Sequence, residues 1–194
     1  MYDYREYLER FKKQRNDIRR LWNIGYETAD FLSFLVSLKQ PEYILEIGTS
    51  NGFSTFHLSI AGESTASRID TIECDRERFE MAMVNLAGRE NIDLHYGKAE
   101  DIIPELRRRY DFIFIDANKE SYKTYLELLI PKMNNRALIV ADNINSHRRS
   151  VNKYVSFVRS DTRFQSLQIP LESGLEITIY LDPNKKITTG EDLK

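Results

Sequence analysis

Cysteine is nearly absent from this 194-residue chain: Cys74 stands alone, which excludes an intrachain disulfide and any CxxC metal pair. Histidine is scarce too. His57, His95 and His147 show neither HxxxH nor HExxH spacing, which argues against a zinc site. No apolar run approaches the roughly 20 residues a membrane-spanning helix requires, and the opening Met-Tyr-Asp-Tyr-Arg-Glu lacks a signal peptide's apolar core. A cytoplasmic location without membrane contact is therefore expected. An excess of one charge is missing as well, since a net charge of −2 gives no global reason to expect nucleic acid or a membrane as partner. What is present, 41% hydrophobic and 30% charged residues, describes an ordinary globular protein long enough for one well-cored domain.

The most informative stretch is Tyr43-Ile-Leu-Glu-Ile-Gly-Thr-Ser-Asn-Gly-Phe-Ser54. It reads as a buried strand, a tight turn and the opening of a helix. Ile44, Leu45 and Ile47 suit a strand covered on both faces. Gly48 and Gly52 let the backbone bend sharply and a ligand come close, while Ser50, Asn51 and Ser54 can supply polar contacts or cap the helix. That combination suits a nucleoside-like cofactor.

Strand-like and helix-like segments alternate around it. A charged helix is expected over 2–21, with Tyr4, Tyr7, Leu8, Phe11 and Ile18 as its apolar stripe. Its basic residues, Arg5, Arg10, Lys12, Lys13, Arg15, Arg19 and Arg20, outnumber its acids and read first as a solvated face, second as an RNA-facing patch. A second helix follows Gly25, capped near Thr28, with Phe31, Leu32, Phe34, Leu35 and Leu38 inward, and ends before Pro41. Strands are expected over 43–48, 67–73, 92–96, 110–115 and 137–141, and helices over 53–61, 76–86, 99–108, 120–130 and 150–160, with Pro104 near the start of its helix. Two last strands, 164–169 and 175–181, should pair antiparallel. The expected architecture is α/β: a Rossmann-like, doubly wound, mostly parallel seven-stranded sheet with an antiparallel C-terminal hairpin and N-terminal helices. One domain should hold all of it, as a helical segment 1–40, a core 41–182 and a polar tail 183–194.

Ligands in such sheets bind at the carboxyl ends of the strands. Gly48, Glu73, residues 98–100, Asp116 and Asp142-Asn143 all follow strands, so all should crowd one edge. Glu73 can accept both hydroxyl protons of a ribose. The turn Gly48-Thr-Ser-Asn-Gly52 has Ser50 where dinucleotide binders carry a glycine that admits pyrophosphate, which favours S-adenosylmethionine over NAD or FAD. Asp116, Asp142 and Asn143 offer three hard oxygen ligands that suit Mg²⁺, Mn²⁺ or Ca²⁺. The bland alternative is a set of helix caps. Lys119 follows Asp116 closely enough for its amine to reach back.

These residues carry a resemblance to the metal-dependent O-methyltransferases of the catechol and caffeoyl-CoA type, and to their bacterial members in particular. The matching stretches are Leu45-Glu-Ile-Gly-Thr-Ser-Asn-Gly-Phe-Ser54, Thr71-Ile-Glu-Cys-Asp75, Gly97-Lys-Ala-Glu-Asp-Ile-Ile-Pro-Glu-Leu106, Tyr110-Asp-Phe-Ile-Phe-Ile-Asp-Ala-Asn-Lys119 and Leu138-Ile-Val-Ala-Asp-Asn143. The resemblance implies that Glu46, Gly48, Ser50, Ser54, Glu73, Cys74, Ala99, Glu100 and Asp116 hold the cofactor. It implies Asp116, Asp142 and Asn143 as metal ligands and Lys119, with Asp116, as the catalytic pair. Implied, too, are a small hydroxylated substrate, with tRNA as the alternative acceptor, and a homodimer. A non-catalytic nucleoside-binding protein on the same fold is the third reading. Ala117 and Asn118 stand where animal catechol enzymes carry bulky aromatics, and Glu172 is the candidate for the glutamate that holds substrate in those enzymes.

Overall fold

A computed structural model describes residues 9, 11, 12, 14 and 21–185. In chain order the elements are α1 (Tyr26–Lys39), β1 (Tyr43–Ile47), α2 (Phe53–Ala61), β2 (Arg68–Glu73), α3 (Arg76–Asn85), β3 (Ile92–Tyr96), α4 (Ala99–Glu105), β4 (Tyr110–Ile115), α5 (Tyr122–Leu129), β5 (Met133–Ala141), α6 (Arg148–Ser160), β6 (Phe164–Ile169) and β7 (Leu175–Tyr180). The seven strands form one sheet in the order β3-β2-β1-β4-β5-β7-β6. Strands β1 to β5 pair parallel, and β7 runs antiparallel to both β5 and β6. The chain leaves β1 in one direction and returns beside it as β4, so the switch in strand order lies between them.

Both faces of the sheet are covered, which is why the β1 and β4 sequences are apolar without alternation. Successive side chains still point to opposite sides. Ile44, Phe112, Phe114 and Val140 pack with Leu32, Val36, Phe56 and Leu58 of α1 and α2. Leu45, Ile47, Ile113, Ile115 and Ile139 pack with Ile103 of α4, Leu126 and Leu129 of α5 and Val158 of α6. The two cores clamp the central strands and leave their carboxyl ends as the rim where turns converge.

Several local expectations are corrected. Gly25, not Thr28, caps α1, and its amide donates to the Glu172 carboxylate 3.0 Å away, so the cap comes from a distant turn. The inward side of α1 is Thr28, Ala29, Leu32, Leu35 and Val36, whereas Phe34 and Leu38 are 61% and 71% exposed. Ser50, Asn51 and Ser54 do not cap α2: Gly52 holds that place in a left-handed conformation, with φ of 89°. Pro104 falls in the last turn of α4, not near its start, and the helix ends at Glu105 rather than 108. β5 starts at Met133, earlier than its apolar run, because a bulge with Arg136 at φ 64° carries the chain into the sheet. Of the first helix, Glu9, Phe11, Lys12, Gln14 and Leu21 are helical and Phe11 is buried; Tyr4, Tyr7, Leu8, Ile18 and its other basic residues lie outside the described residues, as does the tail beyond 185.

Candidate active site

The register of the sheet aligns the strand ends. Ile47 lies opposite both Ile72 and Ile115, and Ile115 opposite Ala141. The residues that follow, Glu73, Gly48, Asp116 and Asp142, therefore form one row across four strands, about 14 Å long at the usual strand spacing. Hydrogen bonds continue the ladder past the strands. Gly48 N donates to Ile72 O at 3.0 Å, Asp116 N to Ile47 O at 2.9 Å and Asp142 N to Ile115 O at 3.0 Å.

Gly48 sits at the switch point with φ 103°, and a Cβ there would collide with the Asp116 carbonyl oxygen. Only glycine combines that conformation with that approach. The cofactor-type turn and the acid pair are thus in direct backbone contact.

On the turn side, Glu73 is buried and braces the loop. Its Oε2 accepts from Ser50 N at 2.7 Å, its Oε1 from Asp75 N at 2.9 Å, and Arg78 Nη2 lies 3.5 Å from Oε1. Ser50 Oγ donates to Leu21 O at 2.5 Å, tying the segment before α1 onto the turn. Gln14 Oε1 accepts from Asn51 and Asn85 at 2.8 and 2.9 Å, so the first helix is fastened to the same place. Glu46 points into the α2 side of the sheet and is fully buried. It accepts hydroxyl protons from Ser54 at 2.5 Å, Thr71 at 2.6 Å and Thr55. Burial pushes its carboxyl up to about 7, and the hydroxyls only partly offset this. Cys74 is exposed at the end of β2, and Ala99 and Glu100 open α4 nearby. Tyr125 is buried with its ring 6.5 Å from that of Tyr122, and burial, only partly offset by a hydrogen bond with Ser121, pushes its phenol up to about 12.

On the acid side, Lys119 Nζ donates to Asp116 Oδ1 at 2.9 Å. Asp142 is 2% exposed; its Oδ2 accepts from Asn143 Nδ2 at 3.1 Å and its Oδ1 from Ser173 Oγ. Burial first and the Asp116 charge second push the Asp142 carboxyl up to about 7. Asn143 is held in a left-handed conformation, φ 65°, which asparagine tolerates better than most residues. Neither Asp142 nor Asn143 caps α6, whose cap is His147. Among the described residues no three His, Cys, Asp or Glu side chains converge, so the donor set is two carboxylates and an amide. A buried and a part-buried acid offset by one ammonium fit a divalent cation that prefers oxygen, and Asn143 Oδ1 is the third atom such a cation would take.

Three participants escaped the sequence reading. Tyr122 is buried with its hydroxyl 3.3 Å from Asp142 O and its ring 6.0 Å from Lys119 Nζ, yet in sequence it is one apolar position of α5. Tyr125 reads the same way. Ser173 lies far along the chain and only the β6–β7 turn brings it back. Glu172, beside it, faces α1: its Oε2 accepts from Gly25 N and from Thr28 Oγ1 at 2.5 Å.

This chain is similar to known proteins in sequence and in fold. It is 35% identical over 125 residues to the catechol O-methyltransferase of Mycobacterium tuberculosis, a match covering 62% of this chain and 56% of that protein. The chain thus spans little more than half the length of that relative. Caffeoyl-CoA O-methyltransferase 2 of Petunia hybrida is 27% identical over 186 residues, covering 80% of this chain and 76% of that one. Among solved structures, the SAH-bound methyltransferase PaMTH1 of Podospora anserina superimposes with a TM-score of 0.82 at 20% identity, over 91% of this chain and 87% of that one, and shares the fold. The sequence pattern of the family described as O-methyltransferase matches residues 2–179, and the chain belongs to that family.

Proposed function

We propose that the protein is an S-adenosylmethionine-dependent O-methyltransferase that methylates a hydroxyl of a small catechol-like or vicinal diol, with a divalent cation, Mg²⁺ or else Mn²⁺ or Ca²⁺, at Asp116, Asp142 and Asn143. One observation carries the reading: Gly48 of the cofactor-type turn abuts Asp116 of the acid pair at the switch point of the sheet. A donor seated in the turn and an acceptor seated at the acids would meet there. The catechol and caffeoyl-CoA enzymes among the relatives support the same acceptor chemistry.

When bound, the cation supplies Lewis acidity that lowers the pKa of a substrate hydroxyl, and S-adenosylmethionine supplies an electrophilic methyl on a sulfonium sulfur. The chain's own residues do the positioning. Asp116, Asp142 and Asn143 orient the acceptor oxygens. Lys119, anchored beside Asp116, would take the hydroxyl proton as general base once it has given up its own proton and stands as the neutral amine. Glu73 would receive the ribose hydroxyls, Gly48 and Ser54 would hold the methionine end and Ala99 and Glu100 the base, with Ser50 and Cys74 beside the cofactor and the buried Glu46 holding Ser54 in place. Holding both partners for in-line transfer removes most of the entropic cost of their encounter.

The test is transfer of labelled methyl from S-adenosylmethionine to a panel of diols, with Mg²⁺ and with chelator. Metal-dependent methylation is expected. Full turnover in chelator would remove the cation from the scheme, and no transfer to any hydroxyl would remove the activity. A second acceptor, a hydroxylated uridine in tRNA, is favoured by Arg148, Arg149 and Lys153, exposed on the opening turns of α6 just after Asn143. Affinity that falls steeply with salt would select RNA over the small diol.

A further inference from the structure

We propose that Ser173 is a positioning residue that fixes the Asp142 carboxylate for the cation, an inference that rests on the cation reading above. The hydroxyl of Ser173 donates to Asp142 Oδ1 while Asn143 Nδ2 donates to Oδ2, so each carboxylate oxygen is held by one donor. A carboxylate pinned at both oxygens cannot turn about its terminal bond. Mg²⁺ and Mn²⁺ demand near-ideal octahedral directions, so a fixed ligand plane matters more to them than to a permissive cation.

What delivers the hydroxyl is the turn between β6 and β7. Gly174 N donates to Leu171 O at 2.7 Å and closes the turn, and Gly174 takes φ 85°, where a Cβ would strike the Asn145 side chain. The turn is then fastened to the loop that follows Asp142. Ser173 O accepts from Asn145 N at 2.9 Å and Ser146 N at 3.3 Å, and Gly174 O accepts from Ile144 N at 2.9 Å. On its other flank Glu172, at φ 45°, accepts from Gly25 and Thr28 of α1. Held from both sides, the turn leaves the short serine side chain little choice of direction. Turns fixed in this way serve as the outer support of metal ligands, and removing such a support typically weakens metal binding about 10–100-fold.

Binding of Mn²⁺ alone to the full chain, read from the electron paramagnetic resonance signal of free Mn²⁺, tests this without turnover. Ser173→Ala should weaken Mn²⁺ binding about 10–100-fold, Ser173→Thr should restore it to near the parent value, and both should bind S-adenosylmethionine as the parent does. Ser173→Cys, close to serine in size but a poor donor, should behave like the alanine variant and guards against a cavity effect. Equal Mn²⁺ affinity in the alanine variant and the parent overturns the inference and leaves the cation reading standing. A threonine variant as weak as alanine, or a matching loss of cofactor affinity, overturns it in favour of a merely structural serine. No Mn²⁺ binding by the parent chain overturns the cation reading and this inference with it.

Discussion

Two groups of acids, one in the amino-terminal halves of β2 and β3 and one just past the carboxyl ends of β4 and β5, behave in opposite ways. Near the amino ends, Asp70 of β2 is 4% exposed. His95 Nε2 lies 2.7 Å from its Oδ1, and Arg108 Nη1 and Tyr110 OH each lie 2.9 Å from its Oδ2. Asp93 shares Arg108 at 2.7 Å and also pairs with Arg68 at 3.1 Å. Burial pushes Asp70 up, but the His95 and Tyr110 contacts and the Arg108 charge outweigh it and hold the carboxyl below its ordinary value. At the carboxyl ends, Lys119 pairs with Asp116 and is the one cation paired with either acid among the described residues, and Asp142 rises to about 7. The first cluster carries its own counter-charges and is closed. Among the described residues the second is short of positive charge, as the proposed cation site would require, whereas the first is an ion-pair network that holds the fold.

Charge substitutions can break this contrast. The largest effect is expected from Asp116→Ala, which removes a proposed cation ligand together with the partner of Lys119. Methyl transfer should fall at least ~1000-fold, a loss of about 4 kcal/mol of transition-state stabilisation, while circular dichroism stays unchanged. Retained turnover would place the chemistry elsewhere. Next comes Asp70→Asn, which takes away one of the two carboxylates on Arg108 and the acceptor charge facing His95 and Tyr110, and should cost about 1–3 kcal/mol in denaturant unfolding at pH 7. Because Asp70 titrates below its unfolded value, its stabilisation is present above that value and is lost as pH falls through the folded one. A neutral outcome would equate the two clusters.

Asp142→Asn should act with the opposite sign. In chelator it relieves the repulsion from Asp116, so Tm should rise by roughly 3 °C, the shift that about 1 kcal/mol gives in a chain of this size. It should also abolish the Tm increase that the proposed cation site predicts for the parent protein in Mn²⁺. A fall in Tm would show that the acid side is closed too. The smallest effect sharpens the picture at Glu46. Its carboxyl titrates near 7 rather than its ordinary 4.5, so its contribution to stability is full below 4.5 and is lost as pH rises through about 7. Stability of the parent should therefore drop by about 1–3 kcal/mol between pH 5 and 8, and Glu46→Gln should flatten that slope. An unchanged slope would remove Glu46 from the titration.

Much of the site was legible because one strand ending carries it. Glu73, Gly48, Asp116 and Asp142 each stop an apolar run, and the rule that parallel strands end on one rim collects them without coordinates. Lys119 was legible because three residues of a turn suffice to bring it back to Asp116. Thr28 was misread because a cap from Glu172, 144 positions away, leaves no local trace. Phe34 and Leu38 were misread because a 3.6-residue period marks an apolar side, whereas Ala29 and Val36 take the buried side that the sheet defines. The early start of β5 was invisible because Met133-Asn-Asn-Arg136 pairs through a bulge rather than an alternating pattern.

The order of strands and helices, the glycine turn and the acids at the strand ends follow from sequence alone, since backbone preference and local periodicity are short-range effects that each segment expresses by itself. The contact of Gly48 with Asp116, the burial that raises Asp142 and the delivery of Ser173 from a turn some thirty positions later were decided only by the tertiary structure. Proximity between distant segments, and the desolvation it brings, comes into being when two cores close on one sheet, and no single stretch of the chain encodes it.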